Sequence, residues 1–318
     1  MSKNNPVDIP KSISHKLLNY SKSIQSDYNL ILTRYGLERF LFRLGISEYA
    51  KSFLLKGASL FIVWQGQGFR STRDIDLLGL GAPDIDKIKE IFLKIINQKC
   101  VEDGIVFDSS SLKVSVIRKD QLYGGLRVTV VAFLGNARIP VQVDIGYGDI
   151  VFPNPEEILF PPILDIPAPK LKAYSKYTVM AEKTEATISL GVANSRMKDI
   201  YDICVLCRSF EFDGELLCQT IKRTFKNRKT TIPQTIPISF TETFYNDTSK
   251  KIQWNAFIRK LRLSEADTLE VAVNEISTFL MPLFEHIVTN KPFQKFWNPV
   301  NRTFESLGPP EEEVTSDT

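Results

Sequence analysis

Histidine is close to absent from this chain, with His15 and His286 the only two among 318 residues. That shortage gives poor support to a histidine-based zinc centre and to a Ser-His-Asp triad alike. Cysteine is scarce too. Of the 4 cysteines, Cys204 and Cys207 form a C-x-x-C, but no second pair or nearby histidine completes a metal site around them. Within the apolar run IYDICVLC they read as small residues buried on a helix. A dominant charge of one sign is also missing. The 40 basic and 37 acidic residues leave +3, too little to argue nucleic-acid binding from bulk charge. No uninterrupted apolar run reaches the roughly 18 residues of a membrane span, and the N-terminus is polar without a signal-peptide core, so the expectation is a cytoplasmic protein with no membrane partner.

What remains is ordinary globular composition, 43% hydrophobic and 24% charged, at a length that fits one large domain or two and buries a sizeable core. Residues 13–54 carry a helical pattern, with Leu17, Leu30, Ile31, Tyr35, Phe40 and Leu41 spaced for packing. Arg34 and Arg39 on that stretch are expected to be solvated, or to face a nucleotide or RNA edge.

The most informative stretch is LLKGASLFIVWQGQGFRSTRDIDLL, residues 54–78. It predicts an apolar strand, a Gly57-Ala58-Ser59 turn opening a helix, a Gly-punctuated loop, and a second strand with Asp74 and Asp76 on one face and Ile75 and Leu77 on the other. Two adjacent carboxylates resist joint ionisation unless a cation lies between them. All-oxygen donors of this kind suit Mg²⁺, which draws its other ligands from water and substrate phosphates. A strand that breaks at glycine and restarts as a helix offers backbone N–H groups to a phosphate, and Ser59 adds a hydroxyl.

Farther on, residues 84–99 predict an amphipathic helix with Ile85, Ile88, Ile91, Phe92, Ile95 and Ile96 inward, followed by strands at 112–117 and 126–133. In IPVQVDI, residues 139–145, Val141, Val143 and Ile145 alternate with Gln142 and Asp144. A third carboxylate therefore converges on the first two if this strand lies beside theirs; otherwise Asp144, like Asp149, is a strand-end turn former. The Pro-rich segment 152–169 reads as an extended connector. Helices follow at 174–190, bearing Lys183, and 196–207, bearing Arg196, Lys198, Asp199 and Asp202. On spacing alone the charges of the second helix read as surface pairs within it. KRTFKNRK, residues 222–229, packs five basic residues into eight positions and reads equally as a solvated face or as a track for an RNA backbone. Trp254, Phe257, Trp297 and Phe304 are expected to pack C-terminal helices, and GPPEEEVTSDT to be a disordered acidic tail.

Gly57 and Ser59, then Arg70, Thr72, Arg73, Asp74, Ile75 and Asp76, resemble the paired motifs of DNA polymerase β-type nucleotidyltransferases. More narrowly, residues 14–207 resemble the AbiEii/AbiGii toxins of abortive-infection toxin–antitoxin systems, with LTRYGLERFLFRL, FLLKGASLF, RSTRDIDLLG, VQVDIGYGD and AEKTEA…NSRMKDIYDI matching in order. The resemblance implies an α/β fold: a nucleotidyltransferase-type mixed sheet with an N-terminal helical layer and a helical C-terminal part. The expected divisions are a core at 1–165, a helical domain at 166–305 that completes the nucleotide site, and a tail at 306–318. It implies an NTP substrate and one or two Mg²⁺ ions on Asp74, Asp76 and Asp144, the last aiding deprotonation of the attacking hydroxyl. Lys183 would meet the phosphates, Asp199 would position nucleotide or lysine, and Arg196 is a secondary binder beside Gly57, Ser59, Arg70, Thr72 and Arg73. The activity implied is transfer of a nucleoside monophosphate to an RNA hydroxyl, foremost tRNA, with an antitoxin as partner and a part in phage defence. Two alternatives stay open: nucleotidylation of a small molecule or protein hydroxyl, and a non-catalytic NTP-binding regulator.

Overall fold

The computed structural model describes residues 8–66, 72–117, 124–261 and 267–306. Arg70 and the acidic tail fall outside them. The chain divides into two compact units, one running to Asp149 and including Asn154–Tyr174, the other made of Ile150–Pro153 and everything from Ser175 onward.

The first unit opens with α1 (Ile9–Ser23) and α2 (Tyr28–Ile46), each started by an aspartate, Asp8 and Asp27, whose side chain accepts from a first-turn backbone N–H. Then come β1 (Phe53–Lys56), α3 (Ser59–Gln65), β2 (Ile75–Gly79), α4 (Ile85–Ile96), β3 (Ile105–Ile117), β4 (Gly125–Leu134) and β5 (Ala137–Gly146), closed by β6 (Glu156–Leu159) and β7 (Lys170–Ala173). The strands form one seven-stranded mixed sheet in the order β3-β4-β5-β2-β1-β7-β6. β5 pairs parallel to β2, and β2 antiparallel to β1.

Alternation fixes which face is core. Leu126, Val128, Val130, Val141, Val143, Ile145, Ile75 and Leu77 are all buried, whereas Arg127, Thr129 and Gln142 between them are half-open. α2 covers the apolar face closely: a Cβ at Gly36 would come within 2.7 Å of Ile139 Cγ2, so glycine there is what lets helix and strand approach. α4 turns Ile88, Phe92, Ile95 and Ile96 inward, but Ile85, expected inward, is 42% exposed at the helix start.

Two expectations for this unit are corrected. Arg39 is fully buried rather than solvated, ion-paired to Glu38 at 2.5 Å and donating to the Pro167 carbonyl at 3.1 Å, with its guanidinium over the rings of Tyr35 and Phe42. Glu38 also accepts from the Ile163 N–H. The same helix sends Arg43 to grip Asp103 with both nitrogens, at 2.7 and 3.1 Å. Secondly, the Pro-rich segment is more than a connector, since it contributes β6 to the sheet edge through β7.

The second unit contains α5 (Lys176–Leu190), α6 (Met197–Ser209), β8 (Phe212–Asp213), α7 (Gly214–Asn227), the short α8 (Glu242–Tyr245), α9 (Thr248–Leu261), α10 (Leu269–Thr289), β9 (Lys295–Asn298) and β10 (Thr303–Ser306). It is helical with a small antiparallel sheet, β10-β9-β8. Trp297 and Phe304 pack on a C-terminal helix as expected, from these strands: both rings lie against Phe279 of α10, Trp297 edgewise at 4.7 Å, and Trp297 donates its indole N–H to the Cys207 carbonyl. α10 is long and apolar enough on length and composition alone to cross a membrane. Its residues Ala272, Val273, Ile276, Phe279, Leu280, Leu283 and Phe284 are instead a fully buried stripe, as in the core helix of a globular unit. Cys204 and Cys207 are buried on α6 as free thiols, pushed up in pKa by burial, Cys204 to about 12. That is the environment of inert packing residues, not of redox or metal ligands.

Candidate active site

The sheet places four charged residues in one row. Arg127 on β4 is the register partner of Asp144 on β5, Asp144 of Asp76 on β2, and Asp76 of Lys56 on β1. Side chains of register partners share a face, so the row reads cation, carboxylate, carboxylate, cation across four neighbouring strands. Each member follows or precedes a buried apolar residue on the opposite face, which is why strict alternation sends all four the same way.

The two ends of the row are tied. Arg127 Nε and Nη2 donate to Asp144 Oδ1 and Oδ2, both at 2.8 Å. The Asp144 hydrogen bonds and charge, with smaller effects from Asp74 and Asp76, raise the Arg127 pKa above its ordinary value. Lys56 donates to Asp149 Oδ2 at 2.6 Å and lies 4.9 Å from the centre of the Tyr174 ring. Asp149 is thus an ion-pair partner within the row's surroundings, not merely a turn former.

Asp76 is seated against the turn that precedes α3. Gly57 has φ +73, and a Cβ there would fall 2.2 Å from Asp76 Oδ2. Only glycine reconciles that backbone with that carboxylate. Gly57 and Ala58 are half-buried, whereas Ser59, the first residue of α3, is 3% exposed. Asp74 lies just before β2 rather than within it, and Thr72 holds it by donating its hydroxyl to the Asp74 carbonyl at 2.9 Å and to Oδ1 at 3.0 Å. Arg73 beside it is exposed. The expected three-way convergence is therefore looser than spacing suggested. Asp76 and Asp144 adjoin, Asp74 is held from Thr72, and Asp144 is drawn to Arg127; among the described residues no three acidic, histidine or cysteine side chains gather tightly enough to hold one ion.

The second unit holds its own charged cluster. Lys183 on α5 reaches Asp199 Oδ1 at 2.8 Å and Asp202 Oδ2 at 2.7 Å on α6. Burial alone would lower the lysine pKa; Asp202 and Asp199 outweigh it and push it up to about 12. Burial would likewise raise Asp199, yet Lys183 brings it below the usual carboxylate value. The surface pairing expected within α6 is thereby corrected: Asp202 is fully buried and serves Lys183 from the neighbouring helix, while Lys198 is exposed. Arg196 is exposed and caps the start of α6, its N–H donating to Asn194 Oδ1 at 2.8 Å. In the basic run, Phe225 is fully buried and Arg228 pairs with Glu182 and Glu185, so neither offers a ring or a free charge to RNA.

Sequence reasoning named Asp74, Asp76, Asp144, Gly57 and Thr72 and missed Arg127, Lys56 and Asp202. Arg127 had a usable signal. Gly135-Asn136 is a two-residue hairpin turn between β-rich runs, and an equal count outward on both sides of it reaches Arg127 and Asp144 together.

Comparison with known proteins gives a family match. Residues 39–290 match the model of the nucleotidyl transferase AbiEii toxin, a type IV toxin–antitoxin system component. Among solved structures, JHP933 from Helicobacter pylori is similar at 12% identity and TM-score 0.46, covering 86% of this chain and 94% of that one. A second H. pylori protein, described only provisionally as a nucleotidyltransferase, is similar at 12% identity and TM-score 0.46, covering 87% of this chain and 98% of that one. No curated protein matches.

Proposed function

This chain belongs to the AbiEii nucleotidyl transferase toxin family of type IV toxin–antitoxin systems, and from that premise we propose that it transfers a nucleoside monophosphate from an NTP to a hydroxyl of RNA, with tRNA as the foremost acceptor; a phosphodiester forms at the α-phosphorus, the α–β phosphoanhydride breaks and pyrophosphate leaves. Family membership brings with it an NTP substrate and an antitoxin partner; the tRNA acceptor, a cytoplasmic site of action and a role in phage defence are parts of the proposal. The observation that carries the reading is the Asp76–Asp144 register pair between Arg127 and Lys56.

Two carboxylates fixed side by side require positive charge nearby, and their oxygen donors fit Mg²⁺. Asp74 and Asp76 would hold the ion, with Asp144 joining them. When bound, Mg²⁺ would neutralise charge developing on the transferred phosphoryl group. Gly57 and Ala58 would present backbone to the triphosphate, while Asp144 would take the proton of the attacking hydroxyl. Ser59, Thr72, Arg73, Lys183, Asp199 and Arg196 complete the proposed set; Thr72 acts through its hold on Asp74, and Lys183 and Asp199 act as a preformed pair. Positioning and charge neutralisation supply most of the rate in phosphoryl-type transfer.

The test is label transfer from each α-³²P NTP with Mg²⁺ and total cellular RNA. Wild-type protein should label an RNA band, and Asp76→Asn should reduce labelling by at least about a hundredfold, the scale set by losing one group that offsets transition-state charge. Labelled protein with unlabelled RNA would move the acceptor to a protein hydroxyl. Equal labelling by both forms would remove Asp76 from the chemistry.

A further inference from the structure

Nothing in the transfer reaction calls for an arginine bound to the carboxylate that is to join a metal site or take a proton. Yet Arg127 holds both oxygens of Asp144, at 2.8 Å each, and Gln142 Nε2 approaches Oδ1 at 3.5 Å. The fork-on-carboxylate grip is the strong form of this contact. Its two partners differ in freedom. The Asp144 side chain is 11% exposed and fixed in mid-strand, whereas the Arg127 side chain is 41% exposed. The guanidinium can swing into water; the carboxylate cannot follow it. In the row Arg127 stands on the far side of Asp144 from Asp76 and takes both Asp144 oxygens, so a divalent ion at Asp74 and Asp76 can add Asp144 only by competing with the fork.

We propose that Arg127 is a positioning residue that works as an exchangeable latch, holding Asp144 in an ion pair until a divalent cation displaces it, and so setting the metal concentration at which Asp144 joins the site. The proposal rests on the reading of Asp74, Asp76 and Asp144 as the metal-binding carboxylates. A partly exposed ion pair is worth a factor of about two to five in an equilibrium constant, strong enough to delay metal entry and weak enough to yield to it.

Mn²⁺ binding to the full chain, followed by electron paramagnetic resonance without nucleotide, tests the latch apart from turnover. Arg127→Gln should bind Mn²⁺ about three- to sixfold more tightly than wild type, since the competing cation is gone. Arg127→Lys, which keeps the charge and loses the fork, should fall between, and adding Asp144→Asn to Arg127→Gln should erase the gain. Should Arg127→Gln not fold, Arg127→Lys decides the matter by the same comparison. Unchanged or weaker Mn²⁺ affinity on removing the fork, or a gain that survives Asp144→Asn, overturns the latch. Asp76→Asn separates the two levels: if it weakens Mn²⁺ binding while the Arg127 variants do not strengthen it, the latch alone fails; if it leaves binding unchanged, the metal site and the latch fail together.

Discussion

In the sheet unit Asp144 is held by an arginine whose side chain is 41% exposed, while in the helical unit Asp202 is held by a lysine whose side chain is 12% exposed. Both are short contacts between opposite charges, and exposure is what separates them. Water can stand in for either partner of the first pair, so the pair can open and another cation can take its place at little cost. In the second pair, removing one partner strands a charge where water does not reach. The sheet unit therefore presents its carboxylates in a form that can exchange ligands, and the helical unit presents its lysine already neutralised by Asp199 and Asp202.

The widest gap between the two should appear in stability. Lys183→Met would leave Asp199 and Asp202 buried without their cation, and urea unfolding should show a loss of about 3–5 kcal/mol. A loss below about 1 kcal/mol would put the two pairs on the same footing. It would also free Lys183 for the phosphate-binding part that the family resemblance gives it, because a lysine so cheaply released could turn to a ligand.

A smaller effect is expected at the turn beneath Asp76. Gly57→Ala forces a Cβ onto a backbone at φ +73 and to within 2.2 Å of the Asp76 carboxylate. The left-handed conformation alone costs roughly 1–2 kcal/mol for a residue with a Cβ. Displacing Asp76 should lower label transfer by more than the loss of folded protein measured by thermal melting. Equal losses in both would reduce Gly57 to a structural glycine.

The pH dependence of stability distinguishes the clusters more finely. Asp199 has a folded pKa below its ordinary value, so its contribution is present above the unfolded carboxylate range near ~3.9 and is lost as pH falls through the depressed folded value. Lys183, pushed up to about 12, contributes below its unfolded value and loses that contribution only as pH rises through about 12. Acid titration of the wild type against Lys183→Met should therefore converge at low pH, where Asp199 is protonated in both. Curves that stay parallel into acid would mean that the lysine's stabilisation does not pass through Asp199.

How far these arrangements could be read from the chain depends on whether the partners are local. Alternation in VQVDIG and RDIDLL put Asp144 and Asp76 on open faces, and the sheet does set them side by side. The strand order that makes them neighbours, with β2 inserted between β5 and β1, is a long-range choice that alternation does not encode. Arg127 is a single charge in a β-branched run, and only the hairpin register gives it a partner. Asp202 looked like a surface residue because its partner comes from another helix. Arg39 failed the same way: helix surfaces are usually where arginines sit, but Glu38 and the Pro167 carbonyl, 128 residues away, give this one an interior place.

The smallest expected effect is the one that most directly marks the sheet pair as exchangeable. Arg127→Gln should cost no more than about 1 kcal/mol of stability, the ceiling for ion pairs open to water, and the difference from wild type should shrink as salt rises from 0.01 to about 1 M and the Debye length falls from about 30 to 3 Å. Lys183→Met should keep its deficit over the same range, because its pair is shielded from mobile ions by the protein around it. A large, salt-insensitive loss at Arg127 would mean that its fork is architectural, that Asp144 cannot be released to a metal, and that the open and closed clusters differ in exposure without differing in kind.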